Sequence, residues 1–237
     1  GFNRHKASEM ATDSLQEAWG CLRAAAENVL DTKTLQTRKH SWRLNTLLGK
    51  AKELGFEASR EMRGYRRPWR TDLFDQTLAT LMRLWKTTNT LEHTASYGRD
   101  GGLKCEAFLR VVCLRSFADF RRELLAAFDD VGDMLAIFTQ EHCADEVGIG
   151  ESIRSLVRKA ELHGRQAVVS PSVSRRVQAE CLEAVVDELA QLDVPRLAAR
   201  RDSLEFDVFC VACVVLQCCQ ALRAELQNLR SCILRME

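Results

Sequence analysis

The chain has 237 residues, and its 34 Lys and Arg nearly balance its 33 Asp and Glu, which gives a formal net charge of +1. Apolar residues make up 46% and charged residues 28% of the chain, which excludes a disordered protein and indicates a folded one. With only 3 prolines and 12 glycines, the chain has too few turn-forming residues for an all-β protein of this length. The near-zero net charge argues against nucleic acid as a partner, because nucleic-acid-binding domains are strongly basic.

Apolar residues recur at spacings of three and four through most of the chain, which is the pattern of amphipathic helices. The spacing predicts seven helices, over residues 7–30, 33–62, 73–95, 103–142, 151–166, 173–192 and 203–235. Thr71 or Asp72 is expected to cap the third of these helices. The only β-like run, Gln166 to Ser170, is too short to build a sheet.

These elements predict an all-α fold, because long helices joined by short loops are typical of an antiparallel bundle. We therefore expect an antiparallel bundle of about seven mostly long helices. Residues 1–237 are expected to form a single helical-bundle domain, in which residues 1–32 could be a peripheral N-terminal helix.

The 10 cysteines lie mostly inside apolar helical segments, where free Cys behaves as a small buried hydrophobe. Reduced, structural thiols predict an intracellular reducing compartment, such as the cytosol or an organelle matrix or stroma. No signal-peptide pattern is found, so secretion is not expected. The most apolar run, Val208 to Leu216, has 9 residues, whereas a membrane span needs about 20. It is predicted to be the core of a buried helix, so that any membrane association is expected at the surface.

No motif predicts catalysis, a cofactor or a metal ion. Cys210 and Cys213 lack the second cysteine pair that a zinc site needs, and they lie among valines, so core packing is expected for them. None of the 5 histidines has another three or four residues away. His142, next to Cys143, lies in a polar helix end that offers at most a partial site. Because phosphate-binding loops and nucleophile elbows are also missing, a non-enzymatic protein without a cofactor is expected.

The most distinctive local feature is the Arg-rich segment, which we define as residues 60–70. Gly64 and Pro68 predict a loop there. The candidate contact residues are Arg63, Tyr65, Arg66, Arg67, Trp69 and Arg70. Their guanidinium groups could bind a phosphate, a carboxylate, a protein partner or an anionic membrane surface. The alternative interpretation is an exposed loop that Trp69 anchors to the bundle while the arginines face water.

Residues Leu47 to Leu91 also carry a family pattern: a helix that ends in an acidic residue, a loop of the Gly-aromatic-Arg-x-Pro-Trp type, and a second helix with leucine spacing. The matching residues are Glu57 or Glu61, Gly64, Tyr65, Arg66, Pro68, Trp69, Leu73, Leu78, Leu81 and Leu84. In this the sequence resembles the cytosolic domain of the fusaric-acid-resistance and aromatic-acid-exporter superfamily, which includes the plant aluminium-activated malate transporters. The last helix is similar to the final apolar helix of that domain in Phe206, Val208, Phe209, Val211, Val215, Leu216, Leu222 and Leu226.

The resemblance implies a cytosolic regulatory or assembly domain of a membrane anion channel or exporter. It implies protein partners that bind through helix faces, among them the membrane part of a longer chain, with the Arg-rich segment facing a membrane surface or a regulatory anion. It implies no catalytic residues. The alternative, from a different class, is a stand-alone helical scaffold or accessory subunit of a larger assembly.

Overall fold

The computed structural model describes residues 6–33, 41–61, 69–97, 103–143, 187 and 204–234. These residues form six helices, which are α1 (Lys6–Leu30), α2 (Ser41–Arg60), α3 (Thr71–Ala95), α4 (Glu106–Val112), α5 (Arg115–Cys143) and α6 (Leu204–Leu234). No β-strand occurs in this part of the chain, and the predicted all-helical class is confirmed for it. The helices predicted over 151–166 and 173–192 lie outside the described residues.

The helix predicted over 103–142 is divided in two, which the sequence analysis missed. Helix α4 ends in a tight turn in which Cys113 N donates to Leu109 O (3.0 Å) and Leu114 N donates to Val111 O (3.2 Å). No glycine or proline marks this break. On either side of it the chain buries Phe108, Val111, Val112, Phe117 and Phe120. Burial of this aromatic and valine cluster therefore goes with a break between α4 and α5 that the local sequence does not signal.

Two predicted helix starts also differ from the structure. The cap residue of α3 is Arg70, and its side chain makes no capping hydrogen bond, so the prediction of Thr71 or Asp72 is wrong. Asp72 instead lies in the first turn of α3, where its charge is favourable to the helix dipole. Lys33 is not helical but lies in a bend, in which its N–H donates to Asp31 Oδ1 (3.0 Å).

Helix α1 packs against α2, α3 and α5. Its inward face consists of Ala11, Leu15, Ala18, Leu22, Ala25, Ala26, Val29 and Leu30, all fully buried. The alanines remove side-chain bulk, so that neighbouring helices approach this face closely. This position differs from the peripheral one considered for residues 1–32.

Helix α6 packs against α3, α4 and α5. Its buried residues are Val208, Val211, Ala212, Val215, Cys218, Cys219, Leu222, Leu226, Leu229 and Ile233. From Phe206 to Ile233 the helix is long and apolar enough to cross a membrane by length and composition alone (28 residues, with an 18-residue window of mean hydropathy 1.6), a property that core helices of folded domains share. Counting only the uninterrupted run from Val208 to Leu216 therefore underestimated how far the apolar composition extends.

Two glycines allow helices to approach each other more closely than any other residue would. A methyl group on Gly55 of α2 would overlap the ring of Phe74 on α3, and one on Gly132 of α5 would lie 2.5 Å from Trp19 Nε1 on α1. The Trp19 ring also packs against Phe128, with ring centroids 5.5 Å apart. The aromatic rings thus lie directly on the backbones of neighbouring helices, and the helices dock without a gap.

Candidate functional site

The Arg-rich segment is only partly within the described residues. Arg63, Tyr65, Arg66 and Arg67 lie outside them, whereas Trp69 and Arg70 lie just before α3. The structure therefore positions two of the six candidate contact residues.

Trp69 attaches the end of the segment to the bundle. Its ring packs on Phe74, with centroids 5.0 Å apart and an interplanar angle of 47°, and it lies half-buried against the core. Its carbonyl oxygen accepts a hydrogen bond from Thr71 N (3.1 Å). Since Phe74 in turn rests on Gly55 of α2, Trp69, Phe74 and Gly55 form one continuous stack. Arg70, by contrast, is exposed.

The other end of the segment also carries an ordered cation. The guanidinium of Arg60, in the last turn of α2, lies 4.0 Å from the centre of the Phe56 ring. Such an exposed cation–π contact stabilises by about 0.5–1 kcal/mol. Arg60 and Arg70 are both exposed, so a cationic side chain faces solvent at each end of the segment.

A second cationic cluster, which the sequence analysis missed, lies at the C-terminal end of α1. Lys104 is only 5% exposed, and its Nζ donates to Asn28 O (2.8 Å) and Asp31 O (2.5 Å). Arg121 Nη1 donates to Leu30 O (3.0 Å). Burial lowers the pKa of Lys104, a shift that Asp31 opposes and Arg121 reinforces. The donors satisfy carbonyl oxygens that a helix end leaves without intrahelical partners, so this cluster is a structural cap.

Cys210 and Cys213 are exposed and free, so the prediction that they pack in the core is wrong. Helical periodicity explains this, because Val208, Val211 and Val215 occupy the opposite, buried side of α6. The pKa of the Cys210 thiol is raised, mainly by partial desolvation of the sulfur, and Cys213 and Asp207 add to the shift. Cys210 therefore lacks the lowered pKa of a redox-active thiol.

These exposures predict a selective reaction of the native protein with iodoacetamide. Cys213 and Cys210 should both be alkylated, and Cys210 should need a higher pH than an ordinary thiol because its thiolate is disfavoured. Cys219 should react only after unfolding, since it is fully buried and its pKa is raised well above the ordinary value. Peptide mass spectrometry across a pH series measures the three rates. Equal labelling of Cys219 and Cys213 in the native protein would contradict this description of α6.

An open depression of about 520 Å³ lies along the outer side of α5. Its charged residues already have partners: Arg122 donates to Asp119, and Asp129 accepts from Arg23 Nε (2.9 Å). Exposed ion pairs of this kind contribute about 0–1 kcal/mol. They leave no carboxylate or histidine poised for proton transfer in this depression. Among the described residues, no group of three or more His, Cys, Asp or Glu side chains is placed to hold a metal ion.

Comparison of the chain with protein-family models, with curated proteins and with solved structures found no match. The class that the described residues define is an all-helical protein with free cysteines. Inferences about function must therefore come from the surfaces that its helices present.

Proposed function

We propose that this chain is a non-enzymatic helical interaction domain that serves as the cytosolic regulatory or assembly domain of a membrane anion channel or exporter. In this proposal it is an antiparallel bundle of about seven helices in a reducing compartment. Its binding partner in this proposal is a helix from the membrane part of a longer chain. The observation that carries the proposal is the stretch of α6 from Cys210 to Asn228, in which no exposed side chain is charged.

This neutral face, as we call it, consists of the exposed α6 residues between the exposed charges of Asp207 and Arg230, which are Cys210, Cys213, Gln217, Gln220, Ala224, Gln227 and Asn228. A solvated helix ordinarily carries charged residues on its exposed side, as α5 does with Asp119, Arg122 and Asp129. Covering a charged face would require costly desolvation, and the cores of interfaces are depleted of charge for that reason. A face without charges on the most apolar helix therefore supports docking of another uncharged helix.

The Arg-rich segment supports the same placement near a membrane. The cytoplasmic leaflet attracts basic residues with about 1 kcal/mol for each Lys or Arg near its surface. Arg60 and Arg70 are exposed at the two ends of the segment. A segment with five arginines between residues 60 and 70 suits contact with anionic headgroups, and Trp69 would hold it to the bundle.

The alternative is a stand-alone helical scaffold or accessory subunit of a larger assembly. It is favoured by the exposed aromatic side chains Trp42 and Phe56 on α2, because exposed aromatic groups are enriched in protein interfaces. Fractionation of source cells with an antibody to this chain separates the two functions. A membrane-bound species far above 26.9 kDa is the expected result. A soluble species near that mass would favour the scaffold function instead.

Crosslinking from the neutral face tests which segment binds there. In the native polypeptide, thiol-reactive crosslinkers on Cys210 and Cys213 should join α6 to peptides beyond residues 1–237. Gln217→Lys should reduce this yield about tenfold, because a lysine in the contact must be desolvated. Gln76→Lys is the matched control, since Gln76 is exposed in the middle of α3. Crosslinks only to residues 144–203 would show that the chain covers this face itself and would contradict the proposal.

A further inference from the structure

Helix α2 carries two aromatic side chains that the fold leaves in solvent. Trp42 is 79% exposed and Phe56 is 59% exposed, more than the other exposed large hydrophobic side chains of the described residues except Tyr97. The opposite side of α2 is in the core through Leu44, Leu47, Leu48, Ala51 and Ala58. The two aromatic residues therefore lie outside this side of the core, and aromatic side chains are enriched in protein interfaces.

Gly49 lies midway between them, seven residues from each along α2. Positions seven apart share one face of a helix, so Trp42, Gly49 and Phe56 form a single stripe about 21 Å long. A Cβ atom at Gly49 would have no atom within 4 Å, so nothing in the fold requires glycine there. Only the centre of the stripe, at Gly49, lacks a side chain, and it is flanked by the exposed side chains of Asn45, Thr46, Lys50, Lys52 and Glu53.

We propose that two copies of this chain associate through this stripe, as antiparallel α2 helices that cross at Gly49. The stripe is self-complementary, as a two-fold symmetric interface must be. With Gly49 on the symmetry axis, Trp42 of one copy meets Phe56 of the other, and the same contact repeats on the far side. Helices that cross at an angle diverge from the crossing point, so glycine at the centre and large rings at the flanks match the shape of the gap.

The charges along α2 favour this antiparallel orientation. Arg43 lies in the N-terminal half of the helix, and Glu53 and Glu57 lie on the same flank in its C-terminal half. An antiparallel pair brings Arg43 of one copy near Glu53 and Glu57 of the other, whereas a parallel pair would juxtapose the like charges. Arg43 already donates to Glu17 of its own α1 (2.6 Å).

The inference goes beyond the proposed function, because it uses α2 and not the neutral face of α6. One helix pair buries an area at the low end for specific interfaces, so a dissociation constant on the order of 10 µM is expected. Sedimentation equilibrium of the full chain over a concentration series measures it. A 26.9 kDa monomer at concentrations up to about 500 µM would overturn the inference.

Gly49→Gln separates the interface from folding. Glutamine is a better helix former than glycine, and open space surrounds Gly49, so the melting temperature of the monomer should rise. The new side chain would fill the crossing point, and self-association should weaken at least tenfold. Gly20→Gln on α1 is the matched control, because Gly20 is also exposed with nothing within 4 Å of a Cβ; it should raise the melting temperature and leave association unchanged.

A charge reversal tests the orientation. Arg43→Glu should weaken association severalfold, and the double variant Arg43→Glu with Glu57→Arg should restore it. Unchanged association of Gly49→Gln, or a lower melting temperature of that variant, would overturn the inference. Association that is lost in Gln217→Lys but kept in Gly49→Gln would assign the contact to α6 and would also overturn it. The fractionation and crosslinking results for the proposed function do not depend on any of these outcomes.

Discussion

Replacement of Phe74 by alanine is expected to lower the free energy of unfolding by about 3–5 kcal/mol. Phe74 is 1% exposed, and its ring lies between the backbone of α2 at Gly55 and the indole of Trp69. Because Gly55 has no side chain to fill the space, the cavity would stay open and the loss should fall at the upper end of this range. Chemical denaturation followed by circular dichroism measures the change.

Phe56→Ala is the matched control for this loss. Phe56 is also a phenylalanine in a helix, but it is exposed and contacts Arg60, so its removal should cost at most about 1 kcal/mol. If both variants lost the same stability, the packing of α3 on α2 at Gly55 would be incorrect.

Lys104→Met is expected to lower the free energy of unfolding by about 2–4 kcal/mol, because it removes two charge-assisted hydrogen bonds and leaves their carbonyl acceptors without these donors. Methionine keeps the length of the side chain, so little packing is lost. Lys86→Met on the exposed side of α3 is the control and should change stability by less than about 0.5 kcal/mol. Equal effects of the two substitutions would show that Lys104 does not cap α1.

The difference in the free energy of unfolding between wild type and Lys104→Met should also depend on pH. The pKa of Lys104 is lower in the folded protein than its ordinary value of 10.5, so the folded state releases this proton at lower pH than the unfolded chain does. Stability from this group therefore rises as the pH rises between the two pKa values, and it is lost as the pH falls through the folded one. In denaturation series from pH 7 to pH 10, this difference in the free energy of unfolding should become larger as the pH rises. A difference that becomes smaller would contradict the burial of Lys104.

The helical class of the described residues and the limits of several helices were predictable from the sequence. The predicted ranges 7–30, 73–95 and 203–235 agree closely with Lys6–Leu30, Thr71–Ala95 and Leu204–Leu234. This is possible because the apolar period of about 3.6 residues is a local property of the chain. The aromatic anchor of the Arg-rich segment was also recognisable, since Trp69 stands out in a run of arginines.

Contacts between residues far apart in the chain were not predictable in this way. Lys104 bonds to Asn28 across 76 residues of chain, and no local pattern marks it as buried. The periodicity of α6 identified a valine face, but the neighbours that pack on that face placed Cys210 and Cys213 outside. Likewise, Gly55 and Gly132 are unfavourable helix residues by propensity alone, whereas the structure shows aromatic rings resting on them. A helix's period determines which side chains share a face, and contacts between distant helices determine which face is buried.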